Sequence, residues 1–418
     1  MTSAITGVRS HRPETPMPDR APGVRTRHGR AAFWLLAFVF TATMLGTTLP
    51  TPLYGIYQAQ WHFSAAMVTV IYAVYAATVL ATLLLAGRSS DQAGRRPVLA
   101  IALGAAALST LAFIFAPDEG VLLAGRILSG LAAGLMTGTA TAMLTELSPA
   151  SGRRSSLVAT AANMGGLGLG PLFAGLLAQY APHPTTLAFE LYLAVLAVAA
   201  LCLRFVPETV LARRRPTVRF AGLGIPERGR GQFIAAAVAA FAAFALLGLF
   251  SSLVPGFIGG VLHQGSHAVQ GAVVFGLFAI GTITQVALSR LGSRPVMLVG
   301  LGLFLAALAL ILAALAQASM VLFLAGTVVG GVSVGAIFLS SLATANRLAP
   351  PERRGHVVST FFVACYVGLI IPVVGVGVLT EFIATFPAVL AFSLLLAAAC
   401  LFSLARIATA LPLPRRRG

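Results

Sequence analysis

Residues 87–97 read GRSSDQAGRRP, with glycines at Gly87 and Gly94, a single acid at Asp91 and adjacent bases at Arg95 and Arg96. Apolar runs stand on both sides of this short polar stretch, at 67–86 and 98–116. Each has about the length an α-helix needs to cross a bilayer, roughly 20 residues at ~1.5 Å per residue for ~30 Å of hydrocarbon. A charged turn between two such runs therefore joins two membrane-spanning helices. Strands of a membrane barrel would be half as long and would alternate in polarity.

The same alternation of run and turn extends in both directions. Apolar runs at 33–53, 67–86, 98–116, 120–147, 157–181 and 185–206 precede a polar, arginine-rich stretch. Six more follow it, at 232–256, 268–288, 295–316, 320–345, 357–379 and 386–407. With 58% hydrophobic and only 9% charged residues, the chain has too little polar surface to cover a soluble globule of 418 residues. The expected fold is all-α and integral to the membrane, twelve transmembrane helices in two pseudo-symmetric halves of six. Its expected divisions are a disordered tail at 1–31, a first bundle at 32–206, a linker at 207–230, a second bundle at 231–408 and a basic tail at 409–418.

All 28 basic residues are arginine, and all but Arg126 fall in alternate gaps between the runs. Alternate gaps face one side of a membrane, and an excess of arginine in short loops marks the cytoplasmic side. Both termini and the central linker are thus expected in the cytoplasm, in a multi-pass protein of the cell (inner) membrane. A formal charge of +17 would suggest a nucleic-acid partner in a soluble protein; here loop sidedness accounts for it, and no such partner is expected. Cys202, Cys365 and Cys400 lie in predicted helices without metal-ligand spacing, so neither metal nor cofactor is expected. No HExxH, nucleophile elbow or paired-aspartate motif suggests an enzyme. An enzyme acting on lipid-linked substrates would need a polar catalytic cluster. A chain without lysine cannot complete a GxxxxGK[ST] loop, so it does not hydrolyse ATP through that device.

The two halves share a repeat. At a spacing of 201, Gly125, Gly130, Gly134, Leu147, Pro149, Arg153 and Pro171 meet Gly326, Gly331, Gly335, Leu348, Pro350, Arg354 and Pro372. Farther upstream the spacing is 198, where Gly94, Arg96 and Pro97 meet Gly292, Arg294 and Pro295. Parallel repeats of six helices place a transport path between the halves near the midplane.

Gly87, Asp91, Gly94, Arg95 and Arg96 resemble the loop signature of the major facilitator superfamily, G-x-x-x-D-x-x-G-R-R/K, at the junction of helices 2 and 3. With the twelve-helix layout the resemblance covers 31–407. It implies a secondary transporter that alternates access by rocking its halves, with this loop as a latch closing the cytoplasmic faces in the outward-facing state. The second copy departs from this signature, with Ser293 beside Gly292 and Ser289 in place of the aspartate. Arg126, with Leu122, Ser129, Gly130 and Ala132, resembles the helix 4 signature, whose arginine is implicated in coupling to protons. It would lie roughly 9 Å into the helix from Gly120, where a guanidinium must pair, snorkel or face water. Gly166, Gly170, Pro171 and Gly175 resemble the helix 5 signature of proton-coupled exporters, with Ala174 in place of one glycine.

Proton coupling needs a titrating group, and Glu190 on helix 6 is the first choice, ahead of Glu381 and Glu146. By resemblance, helices 1, 4, 7 and 10 wall the cavity, with Thr41, Thr48, Thr137, Thr141, Ser251, Ser252, Ser333, Ser340 and Ser341 as polar residues that either line it or bond neighbouring backbone. Tyr54, Tyr57, Tyr72, Tyr75 and Tyr366 line the path or anchor interfaces. The functional expectation is proton-coupled efflux of a small organic compound by a monomer of the drug:proton antiporter-like branch, its partners being solute, protons and lipid. Uptake of a metabolite by proton symport shares the same features.

Overall fold

In hydrocarbon every backbone N–H and C=O must find its partner within the protein, which leaves helices as the solution for long apolar runs. The computed structural model describes residues 27–86, 89–148, 152–210 and 222–409. Gly87, the tail at 1–26, linker residues 211–221 and the tail at 410–418 lie outside the described residues. The described residues contain helices and no strand. Among the described residues twelve helices are long and apolar enough to cross a membrane, and the chain is a multi-pass membrane protein. They are α1 (Arg27–Thr48), α2 (Ala65–Ala86), α3 (Arg95–Ile114), α4 (Glu119–Leu147), α5 (Gly152–Tyr180) and α6 (Pro184–Arg204). The second set is α7 (Arg230–Ser252), α8 (His267–Leu288), α9 (Ser293–Ala316), α10 (Met320–Leu348), α11 (Arg354–Leu379) and α12 (Thr385–Thr409).

The first helix differs from the sequence expectation at both ends. It starts at Arg27, inside the tail expected to run to residue 31, because polar helical turns beyond the hydrocarbon leave no mark in hydropathy. It stops at Thr48 rather than at 53, because Pro50 and Pro52 lack the N–H groups that would continue the ladder. The chain then proceeds as a 3-10 turn, Thr51–Leu53, and a short helix, Tyr54–Trp61. The second half carries a matching short helix after α7, Val254–Gly260. The first is capped by His62 in left-handed conformation (φ 55°); the second is capped by Val261, and His263, 201 positions after His62, takes the left-handed conformation (φ 53°) in the loop that follows.

Helix pairings repeat as the sequence does. In the first half α1 packs on α4, α5 and α6, α2 on α4, and α3 on α4 and α6. In the second, α7 packs on α10, α11 and α12, α8 on α10, and α9 on α10 and α12. The main contacts between halves are α5 on α8 and α2 on α11, a pair that the repeat interchanges. Helix starts repeat too: Asp118 caps α4 by accepting from Val121 N at 3.0 Å, and Ser319, 201 positions on, caps α10 by accepting from Leu322 N at 3.4 Å.

The repeated glycines have a common physical task. Lipid supplies no hydrophobic drive between helices, so association depends on close approach. A Cβ at Gly130 would fall 2.6 Å from the Tyr75 carbonyl oxygen and 2.7 Å from Thr78 Cβ, so glycine is what lets α4 lie on α2. Gly331 does the same for α10 on α8, where a Cβ would meet Ile280 Cβ and the Leu277 oxygen at 2.9 Å. Gly138, by contrast, faces open space. Gly130→Leu is expected to destabilise the protein by about 1–3 kcal/mol through overpacking, whereas Gly138→Leu leaves the melting temperature of the purified protein near wild type. Equal melting temperatures for the two variants would refute the packing role.

Candidate functional site

The two ends of the bundle are packed differently. At the arginine-poor end three hydrogen bonds cross between halves. Thr51 Oγ1 donates to the Ser251 carbonyl at 3.0 Å, Ala66 N to Glu381 Oε1 at 3.1 Å, and His267 N to Gln179 Oε1 at 3.0 Å. Every residue from 47 to 54 and from 242 to 255 is buried, so α1 and α7 are enclosed on all sides there. Toward the arginine-rich end the enclosure loosens. Thr137, Asn163, Val238 and Phe241 are partly exposed, and Gly138 and Thr141 are exposed.

Arg126 lies in the enclosed region and has no accessible surface. The proline break that ends α1 prepares its site, because the last carbonyls of an interrupted helix lack intrahelical donors. Arg126 Nη1 donates to the Thr47 carbonyl, while Nε, at 2.8 Å, and Nη2 both donate to the Tyr54 hydroxyl. The guanidinium carbon sits 5.5 Å from the ring centroids of Tyr54 and Tyr75 and 5.7 Å from that of Phe113, so aromatic faces meet the charge. Among the described residues no carboxylate forms an ion pair with it, and no Asp or Glu is buried. The repeat position, Thr327, merely bonds its own helix at the Phe323 carbonyl, 2.9 Å. The tyrosines were visible in the sequence as a group; that Tyr54 is the principal partner depends on the chain turning back after Pro50.

Glu190, the expected proton carrier, is exposed on α6. The structure does not bring it to Arg126, and other parts of the protein do not bury it. The helix face explains this: its neighbours Ala188 and Phe189 point into the bundle, and Phe189 stacks on Phe113 at 5.0 Å. Of the hydroxyls expected to line a cavity, Thr41, Ser252, Ser333 and Ser340 donate to carbonyls of their own helices. Thr48 reaches across to the Leu167 carbonyl of α5 at 2.6 Å. Ser251 and Ser341 hydroxyls are buried without a hydrogen-bond partner. Thr137 accepts from Asn163 Nδ2 at 3.3 Å, a partly buried polar pair at the accessible end.

The helix 5 residues form two contacts. Gly166 receives α1, where a Cβ would fall 2.6 Å from Met44 Cβ and from the Thr41 oxygen, and Gly170 does the same beside Thr48. Pro171 and Gly175 face the other half, their backbone touching Gly271 and His267 of α8. The signature thus sits where the first half's own packing meets the interface between halves.

At the arginine-rich end Asp91, Gly94, Arg95 and Arg96 form one network. Gly94, at φ 103° and ψ 151°, opens α3 in a conformation that favours glycine. Buried Arg95 pairs with Asp91 and holds Glu146 by two bonds, Nη2 to Oε1 at 2.7 Å and Nε to Oε2 at 3.3 Å. The sequence did not single out Glu208, in the first residues of the linker. Its carboxylate accepts the backbone N–H of Arg95 at 2.9 Å and of Arg96 at 3.1 Å, capping α3, while Thr209 Oγ1 donates to Glu146. A glutamate 112 residues downstream of Arg96 carries no local capping signal. Asp91 remains more than half exposed.

The family model of the Major Facilitator Superfamily matches residues 36–372. An uncharacterized MFS-type transporter of Mycobacterium tuberculosis, Rv1250, is 30% identical over 148 residues, which are 35% of this chain and 25% of that protein. The matched part thus spans about a quarter of that relative's length. Among solved structures, a bacterial homolog of the human lysosomal transporter Spinster, inward-facing and unoccupied, aligns with a TM-score of 0.66 at 15% identity, covering 92% of this chain and 98% of that one. The nucleoside transporter NupG, as a point mutant, aligns at 0.67 and 14% identity, covering 90% and 99%. The human organic anion transporter MFSD10 (TETRAN) aligns at 0.64 and 19%, covering 90% and 99%. At such identities these neighbours establish the fold.

Burial pushes the Glu208 carboxyl up, but the N–H groups of Val210, Arg95, Arg96 and Thr209 outweigh it and hold its pKa below the ordinary value. A depressed carboxylate contributes stability above its unfolded pKa, about 4.3, and loses it as pH falls through the folded value. Glu208→Gln is therefore expected to melt lower than wild type at pH 7, with the two curves converging below the ordinary carboxylate range. A difference independent of pH would contradict the charge-based cap.

Proposed function

Because the chain belongs to the major facilitator superfamily, whose fold carries secondary transport, we propose that it exports a small organic compound in exchange for protons, in the manner of the drug:proton antiporter-like branch. The observation that carries this reading is the unequal packing of the two ends. The halves are bonded together at the arginine-poor end, by Thr51 to Ser251, Ala66 to Glu381 and His267 to Gln179. At the other end Thr137, Thr141 and Asn163 are accessible, and Arg95 binds Asp91, Glu146 and Ser90, all within the first half.

The arginine-rich end is assigned to the cytoplasm of a cell-membrane protein by the sidedness of its loops, so this state opens inward and accepts solute from the cell. Export is supported by the helix 5 residues, which put Pro171 and Gly175 against α8 at the closing interface. In the opposite state Asp91, already more than half exposed, closes the cytoplasmic end against the second half. The chain works as a monomer in this scheme, since each copy holds both halves of the path.

Arg126 is the coupling residue. A guanidinium keeps its proton, so it acts by holding a fixed charge in a region of low polarity, where any proton or solute charge that enters is felt strongly. Its partner Tyr54 belongs to the short segment whose Thr51 bonds α7 across the interface. Parting the halves there brings water to Tyr54 and Arg126, which links proton access to the conformational change. Glu190 has no part in this scheme.

Ligands found by thermal stabilisation of the purified protein are to be tested for flux in liposomes under pH gradients of either sign. Outward flux driven by an inward proton gradient is expected, and flux in the direction of the protons would support symport instead. Arg126→Ala is expected to insert and fold but to lose pH-driven flux while retaining solute binding; wild-type flux in that variant would remove the coupling role. Asp91→Asn should slow turnover with unchanged solute affinity, and a defect confined to affinity would refute its role in closure.

A further inference from the structure

On the outer flank of the first half, α3 and α6 run side by side and leave a groove of about 640 Å³ between them. Its floor is made of Leu103, Leu196 and Leu203, each at most 5% exposed. Ala100 and Gly104 on one wall, and Ala197 and Ala200 on the other, are exposed but too small to fill it. The groove runs from residue 96 to 107 on α3 and from 193 to 204 on α6. That is about 16 Å at ~1.5 Å per residue, half of the ~30 Å hydrocarbon thickness and so the depth of one leaflet.

At the arginine-rich end the groove closes on two bases. Arg96 donates Nη2 to the Arg204 carbonyl at 3.3 Å, which draws both residues to the same mouth. The nearby carboxylate of Glu208 is engaged by backbone N–H groups at the start of α3. The architecture does not demand the groove. At the spacing of 198 the second half carries Leu298 and Leu305 where the first has Ala100 and Ala107, even though Arg294 repeats the bond of Arg96 by donating to the Ala408 carbonyl at 2.9 Å.

We infer that this groove binds one anionic phospholipid from the leaflet on the arginine-rich side, its phosphate between Arg96 and Arg204 and one acyl chain along the leucine floor. Guanidinium forks match phosphate oxygens, and basic sites between helices beside an apolar surface suit anionic lipid. A soluble phosphate ester has no use for the apolar floor, and a zwitterionic lipid brings a cation to two arginines.

The test is native mass spectrometry of the full-length protein in mild detergent, with phosphatidylglycerol or phosphatidylcholine of identical chains. One phosphatidylglycerol is expected to be retained at a concentration roughly tenfold or more below that needed for phosphatidylcholine. The double variant Arg96→Gln, Arg204→Gln should remove this preference. Gly104→Phe, whose new side chain starts in open space, should block retention of phosphatidylglycerol without lowering the melting temperature. Glycerol phosphate in excess should fail to displace the lipid. Equal retention of the two lipids, displacement by glycerol phosphate, or wild-type retention in either variant would overturn the inference.

Discussion

A guanidinium cannot be left in hydrocarbon without partners, and most of this molecule follows from that constraint. Removing it from water costs several kcal/mol even where snorkelling and local water relieve part of the penalty. Twenty-seven of the 28 arginines avoid the cost by falling in alternate gaps between the apolar runs. The remaining one, Arg126, is fully buried and meets it with a backbone carbonyl, a tyrosine hydroxyl and three aromatic faces. The same charge therefore sits between the apolar runs along most of the chain and, at Arg126, is buried deep in the enclosed end.

The site around Arg126 ties sequence, backbone and interface together. Pro50 and Pro52 end α1, the interrupted turn leaves the Thr47 carbonyl to be used, and the chain folds back so that Tyr54 meets the guanidinium. Thr51, between the two prolines, reaches the second half at Ser251. A local break in one helix thus serves both the buried charge and the closure of the halves. At the other end Arg95 gathers Asp91 and Glu146, while Glu208 caps α3, so the start of the linker is bound to the junction of α2 and α3.

The repeat shows which features are architectural. Gly130 and Gly134 recur as Gly331 and Gly335 and admit the neighbouring helix in each half. Asp118 and Ser319 start equivalent helices, and His62 and His263 take the left-handed conformation after equivalent short ones. Arg126 becomes Thr327, Asp91 has no acidic counterpart, and two alanines on the α3 wall of the groove, Ala100 and Ala107, become Leu298 and Leu305. Positions that the two halves share serve packing, and those on which they differ are where function is to be sought.

The helix count, the repeat and the family resemblance were legible in the chain alone, because apolar length and spaced glycines are one-dimensional patterns set by the bilayer and by helix geometry. So was the singular position of Arg126. Which groups would meet it was not. Tyr54 reaches it only because a helix breaks at Pro50, and Glu208 caps α3 across more than a hundred residues of sequence. Which face of α6 carries Glu190 was not legible either, because hydropathy cannot tell which face of a helix looks inward; Phe189 packs against Phe113 and Glu190 lies outward. Hydrogen-bond partners and the choice of helix face depend on how elements meet in space, and that only the tertiary structure decides.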